Sequence, residues 1–115
     1  MDKRKYRSRC KLFRKVLKAE RKSHSISQEY LAEMLGVKQS FISKTEIGAR
    51  RLDVMELLEL CDAMGILLTD FVFRMEGRLL NEGLLSPERK EAYMRWWDIY
   101  NAYYSITDIQ EDGVK

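Results

Sequence analysis

The chain has 115 residues, of which 45% are hydrophobic and 34% charged, with a formal net charge of +3, two cysteines and one histidine. That length holds one domain with one modest core plus an appendage, and no apolar run approaches the eighteen or so residues that span a bilayer, so no membrane partner is expected. Two cysteines with one histidine cannot make a standard zinc site, and no nucleophile beside a base or Gly-rich phosphate loop points to an enzyme; no catalytic residue, metal or cofactor is expected.

Charge is unevenly placed. Residues 1 to 22 carry eleven Lys/Arg against two Asp/Glu, residues 23 to 52 four against three, and residues 53 to 115 six against thirteen, giving net charges of +9, +1 and −7. Such a split fits an N-terminal half that meets a polyanion and a C-terminal half that faces away from it. The basic N-terminus is followed by no signal-peptide apolar core, which places the expected site of action in the cytoplasm.

In chain order, the run KRKYRSR at 3 to 9 reads either as a basic arm or as the fraying start of the first helix. A helix over about 8 to 22 then puts Cys10, Leu12, Phe13, Val16 and Leu17 on one side. Lys11, Arg14, Lys15, Lys18, Arg21 and Lys22 fall in an arc of roughly 120° on the other. Two readings of that basic stripe stand: contact with phosphate, or a solvated face. Cys10 and Cys61 read as reduced core residues, and His24 as a loop side chain.

From Gln28 to Ile47 the sequence is QEYLAEMLGVKQSFISKTEI. Ser27 can cap a helix whose apolar positions are Leu31, Ala32 and Leu35, and Gly36 permits the positive φ that ends it. A second helix over about 38 to 47 places Gln39, Ser40, Ser43 and Lys44 within an arc of roughly 140°, with Ile42 and Thr45 opposite. An amide, two small hydroxyls and an ammonium match the major groove: adenine N6 and N7 for Gln, guanine O6 and N7 or a phosphate for Lys.

This stretch resembles the XRE family of helix-turn-helix domains, the Cro and lambda-repressor type. Gln28, Ala32, Gly36 and Ile42 stand at the family's first, fifth, ninth and fifteenth motif positions, and its Glu-x-Gly-x-Arg turn is present as Glu46 to Arg50. Arg21 stands seven residues before Gln28, where the family keeps an Arg that pairs with the Glu46 position. The likeness covers about residues 10 to 73. It implies an all-α, five-helix lambda-repressor-like fold that binds double-stranded DNA. It further implies an Arg21–Glu46 salt bridge as structural support, and a Gln28 that meets phosphate and braces the start of the reading helix. Arg50 and Arg51 match positions that approach the sugar-phosphate backbone. Lys38 departs from the family's capping Ser, which forfeits roughly 1 kcal/mol of cap but puts a cation at the groove edge. Thr45 and Ile47 depart as well, and Ile47 either meets a thymine methyl or packs toward the next helix.

Beyond the turn, Asp53 is expected to cap a helix over 54 to 64 with Val54, Leu57, Leu58, Leu60, Cys61 and Met64 facing inward. Gly65 ends it, and Ile66 to Phe73 read as a short fifth helix of the kind that relatives use for a two-fold contact. Residues 74 to 85, with two glycines, read as a connection containing a broken helix. Ser86-Pro87-Glu88 then starts a helix to about Ile106, on which Tyr93, Trp96, Trp97, Tyr100, Tyr103 and Tyr104 recur at i, i+3, i+4, i+7 spacing. That stripe must be covered, either by the chain's own domain, by a second subunit or by another protein. The tail from Asp108 reads as loose.

The expected organisation is a basic arm at 1 to 9, a DNA-binding domain at 10 to 76 and a helical extension at 77 to 115. The expected function is that of a sequence-specific transcription regulator, a homodimeric repressor of a pseudo-palindromic operator. The DNA contacts it calls for are Gln28, Lys38, Gln39, Ser40, Ser43, Lys44, Arg50 and Arg51. The alternative is an antitoxin or interaction module whose aromatic helix binds a partner protein.

Overall fold

The computed structural model describes the backbone of residues 1 to 114 and the side chains of residues 1 to 105; Lys115 lies outside it. Among the described residues the chain forms six helices and no strand: α1 (Lys3–Ser23), α2 (Gln28–Leu35), α3 (Gln39–Ile47), α4 (Val54–Met64), α5 (Leu68–Asn81) and α6 (Arg89–Val114). The class is therefore all-α, five helices of a helix-turn-helix domain followed by one long aromatic helix.

The basic run at 3 to 9 is not an arm but the first two turns of α1. Asp2 makes this possible, because its carboxylate accepts from the backbone amides of Arg4 and Lys5 at 3.0 and 3.2 Å and holds the helix start. Arg9 adds a tie, its Nε donating to the Leu84 carbonyl at 2.8 Å. Along α1, Leu12, Val16 and Leu17 are buried at the spacing of one helical face.

The turns of the central motif form as the residues dictate. Ser27 Oγ accepts from the Tyr30 amide at 3.0 Å, and Gly36 ends α2 in the left-handed region at φ 68°. Lys38 precedes α3 without a side-chain cap, and Gly48 closes it at φ 85°. At α4, Asp53 and Glu56 form a capping box, each side chain accepting from the other's backbone amide at 2.7 and 3.0 Å.

Leu12, Val16, Leu17, Leu31, Ala32, Ile42, Leu60, Cys61, Met64, Phe71 and Leu79 make one core fed by the first five helices. Phe13 and Phe71 meet edge to face inside it at 5.8 Å. The expected inward row of α4 is corrected at two places: Val54 and Leu58 stand exposed, and Leu60, Cys61 and Met64 carry the burial. Arg74 joins Glu20 in an ion pair between α5 and α1.

The second half departs from expectation most. The short fifth helix and its broken sequel are one 14-residue helix running through Gly77, and Gly83, at φ 70°, supplies the stop instead. Gly77 is present for a close approach: a Cβ there would lie 2.3 Å from the Tyr93 hydroxyl oxygen. α6 starts at Arg89, after a turn at Ser86-Pro87-Glu88 in which the Ser86 hydroxyl meets the Glu88 carboxylate. Its backbone continues helical to Val114, so the tail expected to be loose from Asp108 is part of the helix up to that residue.

α6 lies against α5 through aromatic rings. Phe73 stacks with Tyr93 at 4.6 Å and Tyr100 at 4.7 Å, with Trp97 at 5.9 Å. The Tyr104 hydroxyl donates to Asp70 at 2.7 Å, which raises its pKa because the phenolate would face a carboxylate. The resulting molecule is flat, 43 × 41 × 21 Å.

Candidate nucleic-acid interface

α3 sits between α1 and α2, and its two faces separate by chemistry. Ile42 and Thr45 are buried, at 2% and 3% exposure, and the Thr45 hydroxyl is satisfied by donating to the Phe41 carbonyl at 2.7 Å. Gln39, Ser40 and Lys44 point outward, with Ser43 half-buried beside them and its hydroxyl turned onto the Ser40 carbonyl at 3.3 Å. Ile47 is 74% exposed, so it does not pack toward α4.

A polar chain sets the attitude of this face. Arg21 reaches Glu46 through two bonds, Nε to Oε2 at 2.7 Å and Nη2 to Oε1 at 3.0 Å, and donates a third from Nη1 to the Ile26 carbonyl at 2.7 Å. Gln28 Nε2 donates to Glu46 Oε1 at 2.9 Å, and Gln39 Nε2 donates to Gln28 Oε1 at 2.7 Å. Gln39 is thereby fixed by one of its two amide hydrogens, leaving the other hydrogen and its oxygen for an adenine edge. Burial alone would raise the Glu46 pKa, but the bonds from Arg21 and Gln28 outweigh it and hold the carboxyl below its ordinary range.

The loop after α3 divides its two arginines. Arg50 is engaged internally: Nη2 and Nη1 donate to the two Glu56 carboxylate oxygens at 2.6 and 3.2 Å, Nη1 also donates to the Arg51 carbonyl, and its Cζ lies 4.0 Å above the Phe41 ring. Arg50 therefore braces α3 to α4, with its side chain still 36% exposed. Arg51 is exposed, and among the described residues its side chain has no partner. Lys38 and Lys44 are exposed at the two ends of the reading face.

Two features escaped the sequence reading. Phe41 is the platform for Arg50, and Arg14 lies over the turn that follows α3, so close that a Cβ on Gly48 would fall 2.7 Å from its Cζ. Helical spacing showed Arg14 only as one of six cations; the partner turn, 34 positions away in sequence, is invisible to periodicity.

Of the six aromatics assigned to an interface, the structure brings Tyr93, Trp97, Tyr100 and Tyr104 onto α5 and leaves Trp96 and Tyr103 at 64% and 63% exposure. Between α5 and α6 runs an open groove of about 810 Å³, lined by Leu68, Val72, Leu80, Leu85, Trp96 and Ile99 among others. No described helix is long and apolar enough to cross a membrane.

A tripod of helices that buries one side of α3 and offers the other, outlined by cations, defines a helix-turn-helix DNA-binding protein. A family model described as helix-turn-helix matches residues 17–71. A solved structure, an XRE-family like protein from Pseudomonas syringae pv. tomato str. DC3000, superposes with a TM-score of 0.60 at 34% identity, over 64% of this chain and 89% of that one. No curated protein matches. The chain belongs to the XRE family of helix-turn-helix proteins, a family of DNA-binding regulators.

Proposed function

We propose that the protein is a transcription regulator that binds double-stranded DNA sequence-specifically, as a homodimer that represses at a pseudo-palindromic operator. The observation that carries the reading is the chain Arg21–Glu46–Gln28–Gln39, which immobilises the first residue of α3 while its outer amide edge stays open. A side chain fixed before binding loses less entropy in reading a base than one that must be ordered. Gln39, Ser40 and Lys44 read base edges; Gln28, Lys38, Ser43 and Arg51 anchor to the backbone, and Arg50 holds the loop in shape for them.

Two copies would set their α3 helices in successive major grooves about 34 Å apart. The α5–α6 face is the part of the surface that supports pairing, because Trp96, Ile99 and the groove beside them leave apolar area for a second copy to cover. On this reading the protein acts in the cytoplasm. The same open groove favours one second reading, in which the aromatic helix takes a different protein, as an antitoxin or interaction module does.

Selection of bound duplexes from a random pool tests the function directly. The expected result is an inverted repeat with half-sites one helical turn apart. Recovery of no preferred sequence from a pool that the protein does bind would remove the base-reading role of α3.

A further inference from the structure

We propose that Arg14, in the middle of α1, is a DNA-phosphate contact that clamps the backbone beside the C-terminal end of the reading helix. The inference rests on α3 entering the major groove. Arg14, Lys18 and Arg21 stand at i, i+4 and i+7, on the side of α1 that meets α3. Arg21 is consumed by Glu46, and Lys18 lends its charge to the same carboxylate. Arg14 reaches the turn just past Glu46, where its guanidinium lies against Gly48 in a space that only a residue without Cβ leaves open.

Three observations make that guanidinium a ligand-binding group. Among the described residues it has no hydrogen-bond or ion-pair partner, so its fork of donors is open to a ligand. The carboxylates near this end of the motif are already taken, Glu46 by Arg21 and Gln28, and Glu56 by Arg50. Asp53 caps α4 nearby, and the cations Arg14 and the exposed Arg51 outnumber it at the turn. The side chain is also half-buried and held by the Gly48 turn, unlike the exposed Lys11, Lys15 and Lys22 of the same helix. A planar fork, pre-positioned and uncompensated, fits a phosphate. The rival role is structural: a cation beside the carbonyl end of α3 complements its dipole.

The test measures binding of the full chain to its selected duplex and to an unrelated duplex over a salt series, for wild type, Arg14→Gln, Arg14→Lys and Lys15→Gln, with thermal unfolding of each. Arg14→Gln is expected to weaken both duplexes alike, by roughly five- to tenfold near 0.1 M salt. It should also flatten the slope of log K against log salt by about 0.9, as loss of one phosphate contact does. Arg14→Lys should restore most of the slope, and Lys15→Gln should change it less. Unchanged affinity and slope in Arg14→Gln would leave the residue a dipole complement and overturn the proposal, as would equal losses in Arg14→Gln and Lys15→Gln. A wild type that binds no duplex would instead overturn the reading of α3 on which the proposal stands.

Discussion

Gln39 and Glu46 differ in what their neighbours ask of them. Gln39 uses one amide hydrogen to hold its own orientation and leaves the rest open, so on the proposed reading Gln39→Ala is expected to lose roughly 1–3 kcal/mol on the selected site and to relax one base position. Arg51→Ala, which removes an exposed cation, should weaken all sequences equally; competition binding with single-base variants of the site separates the two. Glu46 has a lowered pKa, so its contribution to stability is complete at neutral pH and drains away as acid protonates it, below the ordinary carboxylate value of 4.5. Denaturant midpoints measured from pH 7 down to pH 3 should fall on that limb, and fall less steeply in Glu46→Gln. Arg21→Ala leaves the Glu46 carboxylate, with side-chain exposure of 4%, without its cation, and should cost on the order of 3 kcal/mol. The Cys61 thiol is pushed up to about 11, chiefly by burial and then by Glu20. A thiol reagent at pH 8 should therefore label Cys10 in the native protein, and Cys61 only on unfolding.

Two helix-scale features trade stability against contact. α3 begins at Lys38 without a capping oxygen, and Lys38→Ser should restore about 1 kcal/mol of stability by supplying one. The same change removes a cation from the edge of the reading face, so duplex affinity should fall while the unfolding temperature rises. The opposite case is Gly77, half-buried in α5 under the Tyr93 ring. On helix propensity alone Gly77→Ala would gain roughly 1 kcal/mol. The approach of the Tyr93 hydroxyl reverses the sign, because either α6 must shift or the methyl overlaps it. Loss of near-ultraviolet aromatic signal with an unchanged α1 to α4 core would mark that displacement.

At the scale of the molecule, α3 packs on the basic helix α1, while the apolar groove lies between α5 and α6. Trp96→Glu is expected to convert a dimer to a monomer in light scattering without unfolding the chain, since the indole is 64% exposed and lies outside the core. A monomer of wild type that dimerises on no titration would leave the groove to another protein.

How much of this was legible follows from the range of each interaction. Caps, turn glycines and the buried and open faces of α3 are set by residues within four positions of one another, so Ser27, Gly36, Asp53 and the Gln39 to Lys44 arc could be read from the chain alone. The Arg21–Glu46 bond spans 25 positions and was legible only because the motif is shared with a family. The run through Gly77, the stacking of Phe73 under α6, the bracing of Arg50 by Phe41 and Glu56, and the seat of Arg14 on Gly48 were decided by tertiary structure. In each, the deciding term is a close contact between side chains or backbone brought together by packing, and local propensity carries no record of it.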